Sequence, residues 1–280
     1  MEYQRIEVRP IAGALGAEID GVSISADLPD DTIGEIRRAW LQHAVVFFRH
    51  VDLTPADYLG FAGRFARIAD YPMLQGLREH PQIVEVKKLP QERHNFGGIW
   101  HSDTSYLETP PIGTMLLARE VPEFGGDTLF ANMYLAYETL SPGMQKLLAP
   151  LRAVNVSSKS AANLTRADRM QTGAKIDAAR DEFVAVHPVV RTHSETGKQL
   201  LYVNVAHTTH FEGMTEAESA PLLEWLYEHQ TRPEFTCRFS WQRGSLAFWD
   251  NRACQHHPIN DYHGQLRVMH RISLGAEQPS

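Results

Sequence analysis

The residues of this chain best suited to chemistry are His101 and Asp103, in the run Trp100-His101-Ser102-Asp103. In an extended segment alternate side chains share a face, so the imidazole and the carboxylate of a His-x-Asp aim at one point, and such a pair can hold a metal. A second histidine would complete a set of two imidazoles and one carboxylate. That set covers one face of an octahedral ion and leaves the opposite positions open for substrates. The chain offers one far downstream, in Trp249-Asp250-Asn251-Arg252-Ala253-Cys254-Gln255-His256. A His-x-Asp is a weak signal by itself in a chain with 14 histidines, so the residues around it must carry the argument.

The elements that would position these residues read as mainly β. Short β-prone pieces, Ile6 to Pro10 and Ala17 to Ile19, are broken by Gly13, Gly16 and Gly21. Ile33, Ile36, Trp40 and Leu41 fall at helical spacing behind a cap expected at Asp30 or Asp31. Ala44 to Phe48 is an apolar run suited to a buried strand, and Thr54-Pro55-Ala56-Asp57 is a helix start. Strands follow at Ile83 to Val86, Gly113 to Ala118 and Thr128 to Phe130, with helical signals over Met133 to Thr139 and Pro142 to Leu148. Asn155 to Asp181 lacks sustained apolar periodicity and is expected to be a mobile excursion. Beyond it come a hairpin around Ser194-Glu195-Thr196-Gly197, a helix behind the capping box Thr215 to Glu218, and strands at Phe235 to Ser240, Ser245 to Trp249 and Leu266 to Ile272. Many short strands with a few outer helices predict a double-sheet jelly roll with helices packed on it, as one domain over residues 1–280.

Composition narrows the partners. The net charge of −7 and the lack of any lysine or arginine block argue against nucleic acid and favour a small-molecule ligand. Two cysteines, Cys237 and Cys254, make neither a disulfide framework nor a thiolate metal site, and suit a reducing cytoplasm. No apolar run approaches the roughly 20 residues needed to cross a bilayer.

Taken together, Trp100-His101-Ser102-Asp103, Gly125-Gly126-Asp127-Thr128, Trp249-Asp250-Asn251-Arg252 with His256, and Arg267 with Arg271 resemble the TauD/TfdA family of Fe(II)- and 2-oxoglutarate-dependent dioxygenases. The resemblance implies a double-stranded β-helix with Fe(II), 2-oxoglutarate and O2 as cofactor and cosubstrates, and an assembly of two or four copies. By position it makes His101, Asp103 and His256 the iron ligands, with His257 the rival for the second imidazole and Cys254 a nearby thiol better read as a small buried residue. It gives Arg267, helped by Thr128, the distal carboxylate of 2-oxoglutarate, which suits a guanidinium fork. Arg271 is then left for an anionic group on the primary substrate, its alternative being an ion pair with some acid of the chain, such as Asp250 or Asp261. Tyr71 stands where the taurine-cleaving branch has a substrate-gripping histidine, so a small sulfonate, sulfate ester or carboxylate other than taurine is expected. The implied reaction hydroxylates a substrate carbon while 2-oxoglutarate becomes succinate and CO2. A C-S, C-O or C-N bond is cut where that carbon bears a heteroatom. The competing readings are a metal enzyme using its ion only as a Lewis acid, which would need no carboxylate-anchored cosubstrate, and an idle binding protein on the same barrel.

Overall fold

The run Val45-Val46-Phe47-Phe48 dictates the layering, because all four side chains are apolar and all four are buried. A strand buried on both faces has to lie between two layers. In the computed structural model, which describes residues 3–71, 74–159 and 183–280, it does. Val45 and Phe47 pack inward with Phe130, Phe239, Trp249 and Met269, whereas Val46 and Phe48 pack outward with Ile36, Trp40, Phe61 and Phe248. The two-residue period of a strand thus sorts one segment into two cores.

The larger sheet runs in the order β1 (Glu7–Pro10), β2 (Ala17–Asp20), β3 (Val45–Phe48), β14 (Leu246–Asp250), β6 (Gly113–Glu120), β16 (Arg267–Leu274) and β4 (Ile68–Ala69), and β5 (Val84–Lys88) also pairs with β16. Only β2 and β3 run parallel among the described pairs of this sheet. Helices α1 (Asp30–His43) and α2 (Pro55–Gly63) cover its outer face. The inner face meets a smaller antiparallel sheet of β13 (Thr236–Phe239), β7 (Thr128–Asn132) and β15 (Cys254–Pro258). Phe47 of the large sheet stacks on Phe239 of the small one with ring centroids 3.9 Å apart. Around the inner core lie α3 (Met133–Glu138) and α4 (Pro142–Leu148). With them are a sheet of β12 (Thr208–Phe211), β8 (Arg152–Val156) and β9 (Val184–Pro188), the hairpin of β10 (Val190–Thr192) and β11 (Gln199–Leu201), and α5 (Glu216–Gln230).

The expected mainly-β architecture with flanking helices is present, as are the caps on two helices. Thr54 accepts the Asp57 amide at 3.2 Å, and Thr215 with Glu218 forms the full reciprocal capping box. Two expectations need correction. No side chain caps α1: Pro29 holds the N-cap position, and Asp30 and Asp31 lie in the first turn, where they face the positive end of the helix dipole instead. Asn155 and Val156 belong to β8 rather than to an excursion, paired with Ala185 and Val184. Asn155 tolerates full burial because its amide donates to the Ala153 carbonyl and its oxygen accepts from Thr208 at 2.7 Å. The rest of that stretch, from residue 160 onward, lies outside the described residues.

The outer layer is joined by Trp40, which stacks on Phe248 at 4.3 Å and lies within 3 Å of where a side chain at Gly113 would begin. Trp40→Ala should therefore lower stability by about 3 to 5 kcal/mol, the usual range for emptying a buried aromatic site. A urea denaturation midpoint moved by the corresponding amount with an unchanged slope would show it, and a shift worth under about 1 kcal/mol would contradict this packing.

Candidate active site

His101 and His256 are joined by their backbones. Each donates its amide to the other's carbonyl, at 3.1 and 2.9 Å, in an isolated antiparallel bridge. Directly opposed residues of such a bridge put their side chains on one side, and the two rings lie 4.2 Å apart. His256 is further held against Trp249 and Phe130, with centroids at 4.7 and 6.2 Å. The Nδ1 of His101 donates to the Ile99 carbonyl at 2.7 Å, which fixes the tautomer and leaves the Nε2 lone pair for a metal. Gly97 closes against this ring. Its φ is +67°, and a β-carbon there would sit 2.9 Å from Cε1 and 3.1 Å from Nε2 of His101, so both backbone conformation and space call for glycine.

Asp103 completes the group. Its Oδ1 lies 3.8 Å from His101 Nε2 and 3.9 Å from His256 Nε2, and one donor atom from each of the three residues falls within 4.8 Å of the others. Its Oδ2 accepts the Thr114 hydroxyl at 2.7 Å. Thr114 in turn accepts from the Asn251 amide at 2.9 Å, and Asn251 accepts from the Trp249 indole at 2.8 Å. Burial works against the charge on Asp103, but the Arg271 guanidinium beside it and the Thr114 hydroxyl hold the carboxyl well below its usual range. Burial, helped by neighbouring His101, holds the His256 imidazole neutral. A deprotonated carboxylate and neutral imidazoles are the forms that bind a cation, so the donor set fits a metal ion such as Fe(II). With three protein donors at the centre among the described residues, open positions remain for small ligands.

The rivals are placed elsewhere. His257 turns its ring edge to Trp100 at 5.5 Å, and Cys254 is fully buried, its thiol pKa pushed far up by burial.

Beside the three donors opens a cleft of about 480 Å³ lined by Val86, Leu116, Thr128, Trp249, Arg267 and Arg271, among others. Along β16 the side chains alternate, so Arg267, Met269 and Arg271 face inward while His270 turns out to Arg119. Arg267 is buried over the Trp241 ring, and its Nε and Nη2 have no hydrogen-bond partner. The Trp241 indole donates to Thr128 at 2.9 Å, which leaves the Thr128 hydroxyl proton to donate into the same cleft. A buried guanidinium with idle donors is costly unless an anion satisfies it, so Arg267 and Thr128 fit the carboxylate of a ligand such as 2-oxoglutarate.

Arg271 lies farther along the strand. Its Nη2 is 3.1 Å from Asp103 Oδ1, its guanidinium is 4.3 Å from the Tyr71 ring, and neither its Nε nor its Nη2 completes a hydrogen bond. An adjoining hollow of about 410 Å³ is walled by Tyr71, Phe96, Tyr106 and His207. The acid that Arg271 does face is Asp103, while neither Asp250 nor Asp261 is its partner. Asp250 is bound through both oxygens by Arg252, at 2.9 and 2.7 Å, and lies 3.0 Å from His193 Nε2, while Asp261 accepts the Gly126 amide and faces Arg238. Sequence reasoning thus placed His101, Asp103, His256, Thr128, Arg267, Arg271 and Tyr71 around one centre. It missed Gly97, Thr114 and Trp241, and it left Asn251 without a role although the residue stands inside a quoted motif.

Comparison with known proteins agrees with this geometry. The family model described as "Taurine catabolism dioxygenase TauD, TfdA family" matches residues 7–273. The chain is 33% identical to an alpha-ketoglutarate-dependent sulfate ester dioxygenase of Pseudomonas putida, with 98% of this chain and 91% of that protein covered. It is 32% identical to an alkylsulfatase of Acinetobacter baylyi, with 98% and 86% covered. Its fold is similar to the crystal structure of a taurine dioxygenase from Burkholderia xenovorans, with a TM-score of 0.83 and 34% identity over 99% of this chain and 93% of that one. The buried His-Asp-His cluster and the match over nearly its whole length make this chain a member of the TauD/TfdA family, an enzyme that depends on Fe(II), 2-oxoglutarate (alpha-ketoglutarate) and O2.

Proposed function

We propose that this enzyme hydroxylates a small organic anion, a sulfate ester, sulfonate or carboxylate such as an aryloxy acid, with His101, Asp103 and His256 holding the iron. The observation that carries the reading is the pair of buried guanidinium groups on one strand, Arg267 and Arg271, both with idle donors and both beside the carboxylate-bearing cluster. One cation suits the distal carboxylate of 2-oxoglutarate, and the second is one more than the cosubstrate needs. Sulfate esters stand first among candidates because two relatives carry that activity in their names. Tyr71 against Arg271 supports a substrate other than taurine.

Iron with bound 2-oxoglutarate would supply the oxidising chemistry with O2 as the oxidant, one oxygen atom passing to the succinate formed as CO2 is lost and the other to the substrate carbon as a hydroxyl group. The chain supplies placement. Arg267 and Thr128 orient the keto acid toward the three ligands, Arg271 fixes the substrate anion, and Phe96 and Trp249 line the space where water would compete. Where the hydroxylated carbon bears the sulfate or aryloxy oxygen, the product collapses and releases that group.

Wider features of the protein belong to the same reading. The two packed sheets form a double-stranded β-helix, and residues 1–280 act as one catalytic domain. The active species is a dimer or tetramer, with no nucleic-acid partner, in keeping with the acidic net charge. The enzyme is cytoplasmic, where its two buried thiols stay reduced. No helix among the described residues is long and apolar enough to cross a membrane.

Mixed anaerobically with Fe(II) and 2-oxoglutarate, the protein should show the visible charge-transfer band of the chelate. His101→Ala, Asp103→Ala and His256→Ala should each lose that band and His257→Ala should keep it; the reverse behaviour of the two late histidines would exchange their roles. Arg267→Ala should weaken 2-oxoglutarate at least about a hundredfold, because removing one partner of a buried charged pair costs about 3 to 5 kcal/mol. Metal affinity measured in the same variant should hold, and an unchanged keto-acid affinity would move the anchor elsewhere. Across a panel of alkyl sulfates, sulfonates and aryloxy acids scored by succinate formed, at least one class should be turned over. Arg271→Ala should abolish that substrate-dependent succinate while leaving the anaerobic band intact, and equal turnover of a neutral substrate by both proteins would refute the anion reading.

A further inference from the structure

The two oxygens of Asp103 are not equivalent. Oδ1 faces the Nε2 atoms of His101 and His256, with Arg271 Nη2 3.1 Å away but completing no hydrogen bond to it, whereas Oδ2 accepts the Thr114 hydroxyl at 2.7 Å. That hydroxyl has no freedom of its own. Thr114 Oγ1 accepts from Asn251 Nδ2 at 2.9 Å, so its proton is directed at Asp103, and Asn251 is itself oriented by the Trp249 indole at 2.8 Å. Asp103, Thr114, Asn251 and Trp249 are all buried, with Thr114 at 0% exposure, so no solvent competes for these bonds. The relay is also rooted in the sheet, where Thr114 on β6 lies opposite Trp249 on β14.

From this geometry we infer that Thr114 is a positioning residue that commits Oδ2 and leaves Asp103 a single oxygen, Oδ1, for the metal. The inference rests on the reading of Asp103 as a ligand. Its consequence is a matter of counting positions. Three protein donors leave three of six octahedral positions open, which two oxygens of a keto acid and one molecule of O2 would fill. A carboxylate binding through both oxygens would take one of those positions. Short aspartate side chains can bind either way, so the choice has to come from their surroundings, and in this chain it comes from one hydroxyl aimed by an amide and an indole.

Mn(II) bound to the full-length protein without 2-oxoglutarate reports the open positions through the relaxation of bulk-water protons, since each open position carries an exchanging water. Thr114→Val keeps the residue's shape and removes its hydroxyl. Per bound Mn(II), it should lose about a third of the inner-sphere relaxation, one of three waters. Thr114→Ser should keep the value of the unaltered protein, because it keeps the donor. If Thr114→Val does not fold, Thr114→Ala removes the same group without adding bulk, and the same loss is expected. A purely structural role for Thr114 would change the melting temperature and leave relaxation per bound ion unmoved. Unchanged relaxation in the folded Val or Ala variant overturns the inference. Asp103→Ala separates the two layers of the argument: if that variant binds Mn(II) as tightly as the unaltered chain, the ligand reading itself falls, whereas lost binding there with unchanged relaxation at Thr114 removes only the inference drawn here.

Discussion

Two backbone hydrogen bonds between His101 and His256 bring together residues far apart in the sequence, and the site depends on them. Register is what they transmit. β15 pairs with β7 so that His256 lies opposite Phe130, within the same inner core that holds Trp249. A slip of one residue along that pairing would send every side chain of β15 to the other face, putting Gln255 or His257 where His256 belongs. Burying the inner core and presenting the second imidazole are therefore one event. The histidine needs no loop to aim it, because the sheet has already done so.

Buried arginines in this fold come in two kinds, and the difference is what separates structure from function. Arg252 binds both oxygens of Asp250 and also reaches Glu195 and Glu277, and against the cost of burial the hydrogen bonds from His193 and Arg252 lower the pKa of the Asp250 carboxyl to about 2. Arg191 meets Glu277 at 2.5 Å. Those cations are neutralised within the chain and tie the β10 and β11 hairpin to the end of β14. Arg267 and Arg271 are as deeply placed but leave donors idle inside the cleft. Since buried donors left without partners are expensive, these idle donors suit anions the chain does not itself contain, although Arg271 already faces one carboxylate of the chain, Asp103, at 3.1 Å.

Much of this was legible because residue type and spacing did separate work. Continuous apolar or β-prone runs marked β3, β6, β14 and β16, and the two-residue period of the last of these strands puts Arg267 and Arg271 on one face from sequence alone. β15 escaped notice. Cys254-Gln255-His256-His257-Pro258 has no apolar alternation, because the face that would have shown it is given over to a polar site. The groups that aim the ligands were also hidden. Thr114 begins a strand and belongs to no motif, and its partners Asp103 and Asn251 arrive from other parts of the chain, so nothing local marks it. Gly97 was visible as a loop residue, but its contact with the His101 ring is a fact of three dimensions. The absent side-chain cap on α1 has a similar origin, for the acids are where expected and the backbone begins the helix one residue earlier.

The two cores on opposite sides of the larger sheet are chemically unlike. The inner one shares Trp249, Phe130 and Met269 with the surroundings of the site, while among the described residues the outer one, around Ile36, Trp40, Phe61 and Phe248, contributes nothing to the lining of the cleft. Proteins generally sit only a little above the stability their function demands, and active-site substitutions tend to draw that margin down. An outer layer of this kind is a reserve that can be enlarged by repacking the helices without disturbing the cleft. A lineage or a laboratory seeking to retune the pocket for a new anion has, in that separation, a place to recover lost stability far from where it was lost.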